Sequence, residues 1–228
     1  MIDDIVARLP VTFELGLLSL IIGQIIALPI GIYSALRQDT VGDYIARSFA
    51  ILCIAVPGFW LGTMVLVFQS IWWNYSPPLN FIQFTTNPIG NLQMLITPAI
   101  ILGMTVSGGT MRMTRTMMLE VLRQDYVRTA WAKGLKERVV VTRHVLKNAL
   151  IPVVTLIGMQ MPILIGGSVI IEQIFNLPGM GRLLVTATGQ RDYTVISGIM
   201  IVFGFAMVLI NLLVDLTYSY LDPRVTYE

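Results

Sequence analysis

The sequence predicts an all-α protein, a polytopic bundle with about five transmembrane helices. Of its 228 residues, 55% are hydrophobic and only 12% are charged, which is about half the charged share of a typical soluble domain. The apolar residues also gather into runs that can cross a bilayer, which takes about 20 residues of helix. Strands of a membrane barrel would be about ten residues long and alternate in polarity, so these long, uniformly apolar runs favour helices.

Five stretches are apolar and long enough to be spans: Val11–Leu36, Ser48–Ser70, Met94–Met111, Ile151–Ile171 and Thr194–Tyr218. Residues 1–228 are therefore expected to form one transmembrane domain. Four prolines can kink these spans, which membrane helices tolerate: Pro29, Pro57, Pro98 and Pro162. Small residues at helical spacing predict faces where helix backbones approach closely: Gly23, Ala27 and Gly31 in the first span, and Gly58 and Gly62 in the second.

Lys and Arg predict the orientation, because cytoplasmic loops carry an excess of them. Twelve of the 15 such residues fall on one side of a five-span topology, most of them in residues 112–150. That segment and the C-terminus are therefore expected in the cytoplasm, and the N-terminus outside. Trp72, Trp73 and Tyr75, at the outer end of the second span, agree with this orientation. The net charge of +2 gives nucleic-acid binding no electrostatic support.

Polar residues inside the spans favour structural roles. Gln24, Gln160 and Asn211 are expected to form hydrogen bonds between helices. Glu14 and Glu172 lie near outer ends, where a charged side chain can extend toward the interface. Asp215, near the inner end of the fifth span, is expected to pair with a basic neighbour.

Residues 113–150 are too polar to span the membrane. Apolar residues recur at helical spacing from Leu119 to Trp131 and predict an amphipathic helix. Lys133-Gly134-Leu135 is typical of a helix end, because glycine can adopt the left-handed conformation there. A second helix is expected to begin near Lys136 and to continue into the fourth span. The residues alone leave two roles open, docking in a groove of another protein or lying on anionic lipid.

Three ordered stretches now point to a family. Tyr126–Leu135 (YVRTAWAKGL) with Arg143–Pro152 resembles the EAA loop of ABC importer permeases, and most resembles the oligopeptide/dipeptide/nickel branch. The other two are Gly167–Leu184 and Asn211–Asp215 with the tail Leu221–Tyr227, and they resemble the first, B-type permease of such systems. Arg128, Thr129 and Ala130 stand where the general motif has Glu-Ala-Ala, so only its second alanine is kept, whereas its glycine is kept as Gly134.

The resemblance implies a type I importer (MetI-like) permease fold in a prokaryotic cytoplasmic membrane. It implies a second permease subunit, two ABC ATPase subunits and an extracytoplasmic solute-binding protein as partners, besides membrane lipid. No phosphate-binding loop of the GxxxxGK[ST] type occurs, so ATP and Mg are expected on the ATPases and no cofactor on this chain. Members of the family carry a further N-terminal span, so the chain is expected to be an N-terminal truncation.

Two sets of residues are the candidate sites. ATPase coupling is expected from Tyr126, Arg128, Thr129, Ala130, Lys133, Gly134 and Leu135, with Ala130 and Gly134 in close contact and Arg128 and Lys133 as a charged rim. An outer gate or a contact with the binding protein is expected from Glu172, Phe175, Pro178, Gly179 and Gly181.

Other classes have less support. A secondary transporter is expected to keep ionisable residues near the midplane and to show inverted repeats, and neither pattern is evident. An enzyme is not expected, because no catalytic motif such as HExxH or GxSxG occurs. A metal site is not expected either, because a site of His and Cys ligands needs several of them and the sequence has one of each. A membrane scaffold stays open, and the sequence leaves the solute undecided among peptides, nickel complexes and related compounds.

Overall fold

The computed structural model describes residues 2–74 and 80–221. The helices are α1 Ile2–Leu36, α2 Val41–Ala55, α3 Gly58–Trp73, α4 Pro88–Leu122, α5 Asp125–Ala132, α6 Glu137–Val139, a π-helical segment Val140–Val145, α7 Leu146–Ile174, α8 Met180–Gln190 and α9 Tyr193–Leu221. The predicted all-α class is confirmed. Tyr75 and the tail from residue 222 to 228 lie outside the described residues, and so do the side chains of Asp215, Tyr218 and Tyr220.

Four of the described helical stretches are long and apolar enough to cross a membrane: Ile2–Leu36, Pro88–Leu122, Glu137–Pro162 and Tyr193–Val214. The second predicted span, Ser48–Ser70, is not one straight helix, because α2 and α3 meet at a bend of 95°. Val56 is extended there, with φ −83° and ψ 120°, as expected for a residue whose helical conformation is blocked by the following proline. Pro57 thus breaks a span that had been predicted to kink.

The two 35-residue helices, α1 and α4, are longer than predicted. At 1.5 Å per residue each extends for about 52 Å, whereas the hydrocarbon core is only about 30 Å thick. Helix α4 continues past the predicted end of the third span to Leu122, so Leu119–Leu122 belongs to it. The predicted amphipathic helix from Leu119 to Trp131 is therefore divided at Arg123 and Gln124, and only α5 remains separate.

Helices α1 and α4 form the centre of the bundle by close backbone contact. A methyl group added at Gly23 would lie 2.9 Å from the carbonyl oxygen of Gly103, and one added at Gly31 would lie 2.9 Å from that of Met111. The contact at Gly31 lies eight residues after Gly23 on α1, and its partner Met111 lies eight residues after Gly103 on α4. The two helices therefore run parallel. The predicted small-residue face of the first span is thus a packing face within the chain, as expected for membrane helices.

Candidate functional site

Helix α5 is an eight-residue helix whose inner face is anchored on the rest of the chain. Val127 is fully buried and Ala130 nearly so. Both lie in one apolar cluster with the ends of α1 and α4, with the π-helical segment and with the start of α7. The helix is therefore held by three membrane helices, and movement of α5 is coupled to them by packing.

The end of α5 has the local structure that the sequence predicted. Gly134 is left-handed, with φ +74°. Its N–H donates to the carbonyl of Trp131 at 2.9 Å, and the N–H of Leu135 donates to that of Ala130 at 3.4 Å. This pair of hydrogen bonds defines a Schellman motif, which satisfies two carbonyls that would otherwise lack a partner. Lys136 then precedes α6, where the second helix was expected to begin.

Tyr126 ties α5 to the helix that enters the membrane. Its hydroxyl accepts a hydrogen bond from the side-chain amide of Asn148 at 3.0 Å and lies 3.4 Å from the carbonyl oxygen of His144, to which it donates. The amide of Asn148 also donates to the His144 carbonyl at 3.0 Å. This carbonyl lies in the π-helical segment, and such segments are frequent at functional sites.

The outward face of α5 is open. Arg128 and Asp125 form an ion pair at 3.3 Å with side chains 72% and 95% exposed, a geometry worth about 1 kcal/mol or less. Trp131 is exposed too, and a methyl group added at Gly134 would meet nothing within 4 Å. Ala130 was predicted to contact a partner, but it is buried against its own chain, where its small size permits the close packing of α5.

A second candidate site surrounds Glu172 near the end of α7. Its carboxylate is fully buried. It accepts hydrogen bonds from the hydroxyl of Thr12 at 2.7 Å, from that of Ser168 at 3.1 Å and from the backbone N–H of Arg182 at 3.0 Å. Thr12 in turn accepts from the N–H of Met180 at 2.8 Å. The carboxylate thus joins α1, α7 and the first turn of α8.

The turn from α7 to α8 is shaped around this carboxylate. Asn176 is left-handed, with φ 55°, which asparagine tolerates better than most residues. A side chain at Gly179 would overlap the carboxylate of Glu172, and a methyl group at Gly181 would lie 2.5 Å from Cα of Val169. Glu172 was expected to extend toward the interface, but the structure buries it among protein donors.

Most residues of the predicted outer site therefore face inward: Glu172, Phe175, Gly179 and Gly181 are buried, and Pro178 is half-buried. They form a junction between three helices rather than an exposed patch. A displacement of α8 relative to α1 would break the hydrogen bonds at this junction. A direct contact with another protein would use the exposed residues around them.

The predicted hydrogen bonds between spans are confirmed for two glutamines. The amide nitrogen of Gln160 on α7 donates to the carbonyl of Val106 at 3.2 Å and to the hydroxyl of Thr110 at 3.0 Å, both on α4. The amide nitrogen of Gln24 on α1 reaches the Gln160 oxygen at 3.4 Å. Asn211 instead lies exposed on α9.

The sequence did not predict an ionic cluster that forms where the end of α1, the start of α2 and the C-terminal half of α4 meet. The buried carboxylate of Asp43 accepts two hydrogen bonds from the guanidinium of Arg115, at 2.9 and 2.8 Å, and one from the N–H of Asp39 at 3.0 Å. It also accepts from the hydroxyl of Ser34. One local signal was available, because Thr40 stands three residues before Asp43, which is the spacing of a capping box. The Thr40 hydroxyl does accept a hydrogen bond from the Asp43 N–H, at 3.4 Å.

The fold and these sites define a class: a multi-pass helical membrane protein with an anchored helix exposed at one end of the bundle and a buried polar junction near the other. The chain belongs to the family of binding-protein-dependent transport system inner membrane components, whose model matches residues 27–227. Members of this family are permease components of membrane transport systems, so the resemblance found in the sequence is confirmed.

Curated relatives agree with the family. The chain is 44% identical over 224 residues to a putative peptide transport system permease protein of Brucella abortus, and this match covers 98% of the chain and 71% of the relative. It is 40% identical over 225 residues to the oligopeptide transport system permease protein AppB of Bacillus subtilis, with the same two coverages. It is 36% identical to the dipeptide transport system permease protein DppB of Escherichia coli, covering 99% of the chain and 74% of that protein.

Solved structures support the fold. A chain from the MetNI methionine ABC transporter in an inward-facing conformation superposes with a TM-score of 0.76 at 17% identity, over 97% of this chain and 98% of that one. A chain from an amino acid ABC transporter superposes with a TM-score of 0.64 at 13% identity, over 98% and 94% of the two chains. The predicted MetI-like fold is thus confirmed.

Proposed function

We propose that this chain forms half of the translocation pathway of an ATP-driven importer for di- or oligopeptides. The other half is a second permease subunit, and an extracytoplasmic binding protein delivers the solute. Three relatives named for peptide transport, at 36–44% identity over nearly the whole chain, support peptides over nickel complexes as the cargo. Uptake of labelled dipeptides by cells that express the assembled system, compared with uptake of nickel, tests this choice.

The proposed coupling element is α5 with its glycine turn. One observation carries this assignment: α5 is anchored on its inner face by Val127 and Ala130, whereas its outer face, with Arg128 and Trp131, is open. A short helix held this way can dock on another subunit and transmit a displacement to α1, α4 and α7. ATP and Mg would be bound by ATPase subunits on the cytoplasmic side. The excess of Lys and Arg supports the proposal that α5 faces that side too.

The proposed outer gate is the junction at Glu172. Opening the pathway on the outer side would require α8 to separate from α1, and the hydrogen bonds of Glu172 and Thr12 hold these helices together. The exposed part of α8 around Val185 would then be the part that the binding protein contacts.

A secondary transporter or a passive scaffold would need no ATPase on α5, so these alternatives predict no effect of α5 variants on ATP-dependent uptake.

A series at Gly134 tests the coupling assignment. Gly134→Asn keeps a residue that tolerates the left-handed conformation, Gly134→Ala strains the backbone by about 1–2 kcal/mol without bulk, and Gly134→Trp adds bulk on the open side. In a reconstituted importer we expect Asn to retain uptake, Ala to reduce it and Trp to abolish it while ATP hydrolysis continues. Uptake by the Trp variant equal to that of the Asn variant would refute docking at this turn.

A further inference from the structure

A small crevice with an excess of positive charge lies between the inner end of α1, the start of α2 and the C-terminal half of α4. Three of its lining residues are arginines, namely Arg47, Arg112 and Arg115. The other lining residues are Ile30, Gly31, Ser34, Ala46, Ala50 and Met111. This crevice belongs to neither the coupling surface nor the outer junction.

Among the described residues, the buried carboxylate that faces these arginines, that of Asp43, is already occupied. Asp43 accepts both hydrogen bonds of the Arg115 guanidinium, together with those of the Ser34 hydroxyl and the Asp39 N–H. Arg47 lies 3.4 Å from the same carboxylate, within ion-pair distance but without hydrogen-bond geometry. Asp39 is a second carboxylate close enough to Arg115 for their charges to interact. Three arginines therefore face two carboxylates, and the crevice keeps surplus positive charge.

Arg47 supplies N–H donors to the crevice. Its Nε is buried and has no hydrogen-bond partner among the described residues. Its buried Nη2 lies in the ion pair with Asp43 but makes no hydrogen bond among the described residues, and the side chain as a whole is 38% exposed. The guanidinium lies 4.4 Å from the centre of the Tyr44 ring, a contact that offsets part of its charge but satisfies neither N–H group in the plane. A buried N–H of a charged group that has no acceptor costs about 1–3 kcal/mol or more. We therefore expect an acceptor at the N–H groups of Arg47.

An apolar groove adjoins the crevice. It is lined by Pro29, Ile30, Tyr33, Gly42, Ile45, Ala46 and Phe49 and has a volume of about 400 Å³. Ile30 and Ala46 line both the groove and the crevice, so a basic site and an apolar site share a wall. The crevice itself, about 20 Å³, has room for one water or one phosphate oxygen.

We propose that this crevice and its groove bind an anionic phospholipid, with the phosphate at Arg47 and Arg112 and an acyl chain in the groove. Guanidinium groups bind phosphate with charge-assisted hydrogen bonds, and basic pockets between membrane helices are known to hold anionic headgroups. The surplus positive charge favours a headgroup with net negative charge over a zwitterionic one. The groove favours a lipid over free phosphate, because inorganic phosphate would leave it empty.

The test uses the intact, purified transporter complex that contains this chain, delipidated in detergent. Thermal unfolding is measured against added dioctanoyl phosphatidylglycerol, dioctanoyl phosphatidylcholine or sodium phosphate. We expect phosphatidylglycerol to raise the melting temperature, and Arg47→Gln with Arg112→Gln to weaken its apparent affinity at least tenfold. Arg138→Gln changes an exposed arginine of α6, outside the crevice, and serves as the control. This variant should keep the wild-type affinity.

Each arm has a decisive outcome. An equal effect of phosphatidylcholine or sodium phosphate would overturn the assignment to an anionic lipid, and so would an equal loss in the Arg138 variant or the absence of any phosphatidylglycerol effect. If the double variant does not assemble, Arg112→Gln alone provides the test, because Arg112 is exposed and its loss leaves the Asp43–Arg115 pair intact. That variant should still weaken phosphatidylglycerol binding, whereas Arg138→Gln should not.

Discussion

Removing the Glu172 carboxylate is expected to be the most destabilising single change at the outer junction. Glu172→Ala would leave three donors without their acceptor, the hydroxyls of Thr12 and Ser168 and the N–H of Arg182. A buried donor that loses its partner costs about 1–3 kcal/mol. Three such costs sum to about 3–9 kcal/mol. Because the two hydroxyls can rotate toward other acceptors, we expect a total in the lower part of that range, about 3–5 kcal/mol.

Glu172→Gln should cost less, because one amide oxygen still accepts, whereas the amide nitrogen would face donors. We expect about half the loss of the Ala variant. Ser168→Ala removes one donor and keeps the carboxylate, so it should cost about 1–2 kcal/mol. Thr12→Val should cost more, about 2–4 kcal/mol, because it also removes the acceptor of the Met180 N–H. Glu120→Ala, which removes an exposed carboxylate, is the control and should stay within about 0.5 kcal/mol of the wild type.

The assay is unfolding of the purified complex followed by tryptophan fluorescence, with uptake measured in proteoliposomes in parallel. The expected order of stability is wild type, then the Ser168 variant, then Gln, then Ala, with the Thr12 variant less stable than the Ser168 variant. An Ala variant as stable as the Glu120 control would refute the view that Glu172 joins the three helices. Full stability together with lost uptake would mean that Glu172 acts on the solute instead.

Three further predictions follow from the packing. Gly103→Val should prevent α1 and α4 from assembling, because even a methyl group there would lie 2.7 Å from the Ser19 carbonyl oxygen. The readout is the yield of folded protein, and the control is Gly16→Ala, where a methyl group meets nothing within 4 Å. Asp43→Ala should cost about 3–5 kcal/mol, because it leaves the Arg115 guanidinium without its buried partner; chemical unfolding measures this, and a loss below 1 kcal/mol would contradict the pairing. Tyr126→Phe should cost only about 1 kcal/mol but should lower uptake per ATP hydrolysed, because α5 loses its tie to α7; an unchanged ratio would show that the hydroxyl plays no part in coupling.

The sequence predicted the features that depend on local chemistry. The Schellman motif at Gly134 follows from a glycine after an amphipathic helix, and the all-α class follows from the length of the apolar runs. The family was predictable because its motifs occur in order along the chain. The packing face at Gly23 and Gly31 could be read from helical spacing alone.

Features that depend on tertiary contacts were not predictable. Periodicity placed Ala130 on an apolar face but could not show that this face packs on the same chain. Pro57 breaks its span whereas Pro29 and Pro98 lie within continuous helices, and proline chemistry alone does not distinguish these cases. The burial of Glu172 depends on Thr12, which is 160 residues away in the chain, so no local pattern reports it.

Cross-linking of α5 tests most directly whether this helix docks on an ATPase subunit. In a Cys53→Ser background, a cysteine at Arg128, whose side chain is 72% exposed, is combined with single cysteines on the proposed ATPase partner, and Gln190→Cys on exposed α8 serves as the control. We expect disulfide formation between α5 and the ATPase that changes with bound ATP, and none from α8. A cysteine at residue 128 that reacts freely with a water-soluble maleimide in the assembled complex, and never cross-links to an ATPase, would contradict it.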